Sequence, residues 1–200
     1  MMNFLAHAYL SFDDPSILLG NLISDFVKGK KQYDYPLPVQ QGIRLHRLID
    51  AFTDAHPATR RVRSFFQPDY RLYSGAFADV VYDYFLANDT SIFPNEPLLQ
   101  QFVSRVYASL QQQTEHFPAS FHGLFDSMQE HNWLFHYRFE WGIQRSFAGI
   151  AQRARYIDDA SRAFELFQKH QTKLEEQYRI FFPLLKYYAH TEWHRFLQQR

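Results

Sequence analysis

The chain of 200 residues contains no cysteine. Disulfides and cysteine-ligated zinc are therefore excluded, and a reducing compartment such as the cytoplasm fits. No run reaches about 18 uninterrupted apolar residues, so no membrane span is expected. The opening MMNFLAHAYL has no positively charged n-region and no small-residue cleavage site, and is not read as a signal peptide. Net charge is zero, with 21 basic and 21 acidic residues, so bulk electrostatics point to neither nucleic acid nor membrane. Strand-like alternation, internal repeats and low-complexity tracts are also missing. No Glu-x-x-His tetrapeptide occurs, which argues against a ferritin-like di-iron site.

What is present is helical punctuation and many aromatics, 18% of the chain, which suit a Phe/Tyr-rich core. Asp13-Asp14-Pro15 reads as a cap followed by proline in the first turn, opening a helix to about Lys28 with Gly29 as its stop. Lys30 to Pro38 reads as a loop. Leu45, Leu48, Ile49 and Phe52 recur at helical spacing within Pro38–Ala55. His56-Pro57 breaks that helix and opens a short one through Phe66. Further helices are expected from Ser74-Gly75 to Ala87, from Asn95 to Gln113, from Pro118 to Glu130 and over Asn132–Arg155. Asp158-Asp159 would cap a last helix that Pro183 kinks or splits. The expectation is an all-α single domain of about eight helices, with 156–200 packing on it or extending from it.

Four apolar stretches hold acids and histidines: Asn3–His7, Gly20–Phe26, Gly42–Asp54 and Ala76–Ala87. In the last, Asp79 and Asp83 are the only charges and lie one helical turn apart. Buried carboxylates are costly unless paired, protonated or bound to a cation. His46 and Asp50, four residues apart, share a helix face with Asp54 one turn on. Imidazole and carboxylate together suit Mn²⁺, Mg²⁺, Fe²⁺ or Zn²⁺. Singly, each group also fits a structural hydrogen bond or an arginine salt bridge; four such segments within the first 90 residues favour a shared site. His116, His122, His131, His136, His170 and the pair His190/His194 are read as surface or packing residues.

These residues resemble the acyl carrier protein phosphodiesterase family. The resemblance rests on Asn3-Phe4-Leu5-Ala6-His7, Gly20-Asn21-Leu22-x-x-Asp25-Phe26-Val27-x-Gly29 and Gly42-Ile43-x-x-His46-Arg47-x-Ile49-Asp50-x-x-Thr53-Asp54. Asp79-Val80-x-x-Asp83-x-Phe85-Leu86 and Trp133-Leu134-x-x-Tyr137-Arg138 extend it to about Arg155. It implies an all-helical, HD-domain-like fold and cleavage of the phosphodiester joining 4′-phosphopantetheine to a serine of holo-acyl carrier protein. It also implies a divalent metal, Mn²⁺ first and Mg²⁺ or Fe²⁺ as alternatives. The chain has no adjacent His-Asp pair, so its ligands must come from separate segments. The implied set is His7, Asp25, His46 and one of Asp79 or Asp83, with Asp50 a ligand or a partner that orients His46. Asp25 or Asp83 would accept the proton of water. Arg47, Lys28 and Arg138 are candidates for phosphate contact. Lys30 and Lys31 with Lys28, and Arg60, Arg61 and Arg63, would face an acidic carrier protein. The alternatives are an HD-type hydrolase of a nucleotide or other small phosphoester, and a non-catalytic module for an acidic partner.

Overall fold

The computed structural model describes residues 4–154, 156–157 and 159–198. Asn3, Arg155 and Asp158, which entered the expectations above, lie outside the described residues. Among the described residues the chain is all-α, with ten α-helices and no strand. The first is short: α1 (Phe4–Tyr9) is buried over five of its residues. A turn with Phe12 and Asp13 at positive φ leads into α2 (Pro15–Ile23). Asp14 caps α2 as expected, its carboxylate accepting from Ser16 N and Ile17 N at 3.0 and 3.1 Å.

Helix α2 ends at Ile23 rather than Lys28. A 3-10 turn, Ser24–Phe26, follows it, and a second, Gly29–Asp34, occupies most of the expected loop. Gly29 opens that second turn instead of closing α2. Next come α3 (Leu37–Ala55), α4 (Pro57–Tyr70) and α5 (Ser74–Ala87). Helix α4 runs four residues beyond Phe66, past Pro68, and stops where Arg71 turns to φ 45°. Then follow α6 (Glu96–Gln111) and α7 (Ala119–Glu130).

The single helix expected over Asn132–Arg155 is two, α8 (Trp133–His136) and α9 (Glu140–Arg153). The chain turns so tightly between them that a Cβ on Gly142 would lie 2.0 Å from His136 O. The last helix, α10 (Ser161–Leu197), is continuous over 37 residues, and Pro183 does not split it. None of the described helices is long and apolar enough to cross a membrane.

Two packing features place the site. Helix α2 crosses α3 with their backbones in contact: a Cβ on Gly20 would fall 2.1 Å from Val39 O, and one on Gly42 2.5 Å from Ile17 O. Only glycine at both positions permits that approach. Helix α10 lies against α3, α4, α5 and α9. It packs there largely through aromatic rings, such as Phe181 on Tyr82 at 4.8 Å and Tyr188 on Phe52 at 4.7 Å between centroids.

Candidate metal centre

The close α2–α3 crossing brings Asn21 of α2 beside His46 of α3, and α1 lays His7 against both. The His7 and His46 rings stack with centroids 4.0 Å apart and 14° between planes. Both imidazoles are buried. Asn21 orients the pair. Its Nδ2 donates to His7 O at 2.9 Å and to Ser11 Oγ at 3.1 Å. Its Oδ1 is thereby left to accept from His7 Nδ1 at 2.7 Å. Its backbone carbonyl, at the C-terminal end of α2 where helix carbonyls lack a partner, accepts from His46 Nδ1 at 2.7 Å. Each Nδ1 therefore carries the hydrogen, and each Nε2 of a neutral ring presents a lone pair.

Those lone pairs converge on carboxylates. His7 Nε2 is 3.3 Å from Asp50 Oδ1; His46 Nε2 is 3.2 Å from Asp50 Oδ2 and 3.3 Å from Asp25 Oδ1. Neither Nε2 makes a hydrogen bond, although both are buried. A nitrogen lone pair facing a carboxylate oxygen is repulsive unless a proton or a cation lies between them. Two protonated rings stacked at this distance would repel in turn. One cation held between them would answer both needs. His7, His46 and Asp50 are the group that converges closely enough to hold an ion among the described residues, and the donor set fits a divalent metal. Asp25 stands at the rim, its side chain 37% exposed, within reach of the same His46 nitrogen.

Protonation follows the same geometry. Burial pulls His46 down, but the Asp25 and Asp50 carboxylates outweigh it and raise the group to about 9. Burial and the charge of His46 hold His7 below its ordinary value. Burial pushes Asp50 up, yet its two histidine neighbours leave it well below the usual carboxylate range. Asp25 is lowered in the same way, His46 outweighing the effect of burial.

Asp79 and Asp83 stand outside that group. Asp83 is fully buried and accepts from Leu5 N at 3.1 Å and Ala6 N at 2.8 Å, so its carboxylate holds the first turn of α1. Burial pushes it up to about 8 against those two hydrogen bonds. Asp79 is raised well above the ordinary range by burial and by the charges of Asp50 and Asp83, with Arg63 opposing. Neither acid joins the converging group. The hydrogen-bond partners of Asp83 are the backbone N–H groups of α1.

Among the basic candidates, Arg47 donates to Gln32 Oε1 and Val27 O, tying the 29–34 turn to α3. Lys28, Lys30 and Lys31 are exposed on the segment just after Asp25. Arg138 pairs with Glu96 at 3.1 Å and lies over Phe135 and Phe139, none of which belongs to the cluster. Arg60 donates to Ala55 O and Arg63 to Asp54, while Arg61 is exposed. The orienting role of Asn21 was not assigned from sequence; its place one turn before Asp25 was the available signal. Nor was a cavity of about 830 Å³ that begins at Asp25 and extends among α5, α7, α8 and α9.

An all-helical protein with two oriented imidazoles facing two carboxylates has the donor set of a divalent-metal hydrolase. A family model for acyl carrier protein phosphodiesterase matches residues 2–185. The chain is 33% identical over 184 residues to the acyl carrier protein phosphodiesterase of Yersinia pestis, covering 92% of this chain and 95% of that one. It is 36% identical over 183 residues to those of Salmonella paratyphi A and Salmonella agona, covering 91% and 94%. The chain belongs to the acyl carrier protein phosphodiesterase family. No solved structure matches it.

Proposed function

We propose that this chain hydrolyses the phosphodiester joining 4′-phosphopantetheine to a serine of holo-acyl carrier protein, in the cytoplasm. Water adds its oxygen to phosphorus, the P–O bond to serine breaks, and a proton passes to the serine oxygen. The products are apo-protein and 4′-phosphopantetheine. The observation that carries the reading is the pair of buried Nε2 atoms aimed at carboxylates with no hydrogen bond of their own.

His7, His46 and Asp50 would hold the cation, with Asp25 as a fourth member or the base beside it. The mixed nitrogen and oxygen set favours Mn²⁺ over a thiophilic ion. When bound, such a cation lowers the pKa of water from 15.7 toward about 7 and offsets charge on phosphoryl oxygens. Asp25, at the rim and held ionised, would accept the proton of the attacking water. Asn21 keeps both rings in the tautomer that leaves Nε2 free, and such orienting partners are worth about 10–100-fold in metal affinity. The assembly of histidines and aspartates from separate helices is how an HD-type chemistry can operate without an adjacent His-Asp pair. Lys28, Lys30 and Lys31, exposed next to Asp25, are suited to an acidic carrier protein.

The test is mass spectrometry of holo-acyl carrier protein after incubation with the Mn²⁺-loaded protein. The expected result is loss of the whole phosphopantetheine arm, abolished by EDTA and by His46→Ala with helical circular dichroism retained. An intact arm, or full turnover after EDTA treatment and dialysis, overturns the proposal.

A further inference from the structure

The cavity that begins at Asp25 is not used by the chemistry at phosphorus. Its volume of about 830 Å³ lies within the range of roughly 300–1,000 Å³ common to small-molecule sites. Phe4 and Asp25 line its end beside the cluster, and Asp25 is the residue common to both. Its lining combines apolar side chains (Leu124, Trp133, Trp141) with hydrogen-bonding ones (Ser120, Ser146, Gln152). Arg145 and Arg153 line its exposed side.

We infer that this cavity receives the pantetheine arm of the substrate, its phosphate end at Asp25 and its thiol end carried in between α7 and α9. The inference rests on the proposed activity, because it takes the phosphorus to sit at the cluster. An arm leaving that point meets the cavity at Asp25. Pantetheine is an uncharged chain of methyl and methylene groups interrupted by two amides and a hydroxyl, which matches a lining that holds both apolar and hydrogen-bonding groups. Contacts to the arm are remote from the reacting bond, so they can supply binding energy realised in the transition state.

Gly149 gives a direct handle. It lines the cavity, and a Cβ there would meet nothing nearer than Arg153 Nη2 at 4.0 Å. A larger side chain grown from this position enters the cavity space without striking backbone, and replacing a helical glycine does not weaken α9. Gly149→Phe should leave Mn²⁺ affinity, read by calorimetry, unchanged. It should lower kcat/KM on holo-acyl carrier protein by roughly tenfold or more. Ala148→Phe, at a second lining position, is the check should Gly149→Phe fail to bind Mn²⁺.

Binding is read independently of turnover. With Trp193→Phe, the remaining tryptophans are Trp133 and Trp141, both in the cavity wall. Titration of 4′-phosphopantetheine into that full-length protein should change their fluorescence saturably. Adenosine monophosphate should not, and Gly149→Phe should remove the change. If the parent protein cleaves holo-acyl carrier protein and the blocked variants cleave it with the same kcat/KM, the cavity inference is wrong and the activity stands. If the parent cleaves nothing, the proposed activity is wrong, and the titration alone decides the cavity: no saturable response overturns it.

Discussion

His46 meets opposite demands at its two nitrogens. Nδ1 is committed as a donor to the Asn21 carbonyl, while Nε2 faces Asp25 and Asp50. Without a cation, a proton on Nε2 satisfies both carboxylates, and the group is raised to about 9. A folded-state value above the unfolded one, near 6.5, means stabilisation that is complete below about pH 6.5 and lost as pH rises through 9. Metal-free protein should therefore lose on the order of a few kcal/mol between those pH values. At about 2–4 °C per kcal/mol for a domain of this size, thermal melts resolve it. The cation competes with that proton, so Mn²⁺ affinity should rise across the same window. A melting temperature of the EDTA-treated protein that stays flat from pH 6.5 to 9.5 would show that His46 is not the proton holder.

At the scale of elements, the centre depends on two contacts outside it. The first is the α2–α3 crossing. Gly42→Ala places a Cβ about 2.5 Å from Ile17 O, so the helices must separate. Overpacking of this kind costs about 1–3 kcal/mol or more. The separation also pulls Asn21 away from His46, and with it the tautomer that frees Nε2. Gly42→Ala should thus lower both the urea midpoint and Mn²⁺ affinity; a variant with weaker folding but unchanged affinity would uncouple the crossing from the site. The second contact is Asp83 on the first turn of α1, which carries His7. This acid serves the candidate centre by holding the helix that brings His7 to it. Its place in an apolar helix made it resemble a ligand in the sequence, because a buried carboxylate satisfied by backbone N–H groups and one satisfied by metal leave the same trace.

At the scale of the whole molecule, zero net charge hides an uneven distribution. Lys28, Lys30 and Lys31 project from the exposed segment that follows Asp25, whereas two of the three arginines at 60–63 are engaged with Ala55 O and Asp54. The lysines are thus the better candidates for a carrier-protein surface. Changing all three to glutamate should raise KM for holo-acyl carrier protein several-fold at low salt with kcat little altered. The difference should shrink toward 1 M salt, where the screening length is about 3 Å. Equal KM values for parent and variant at low salt would remove these lysines from the interface.

The sequence by itself determined the helical class, most helix starts and the candidates for the metal centre. Those depend on local spacing, capping and the cost of charge in apolar runs. Asp14, Asn95 and Pro57 mark helix starts as their chemistry dictates. His7, His46 and Asp50 stood out because each is polar within an apolar helix. Only the tertiary structure decided which of the six candidate ligands converge. That choice depends on a glycine-to-glycine helix crossing and on Asn21 bridging two rings, contacts between residues 14 to 25 positions apart. The cavity, too, exists only once α9 folds back on α8, a reversal set by the backbone contact at Gly142 rather than by the helical periodicity of 132–155.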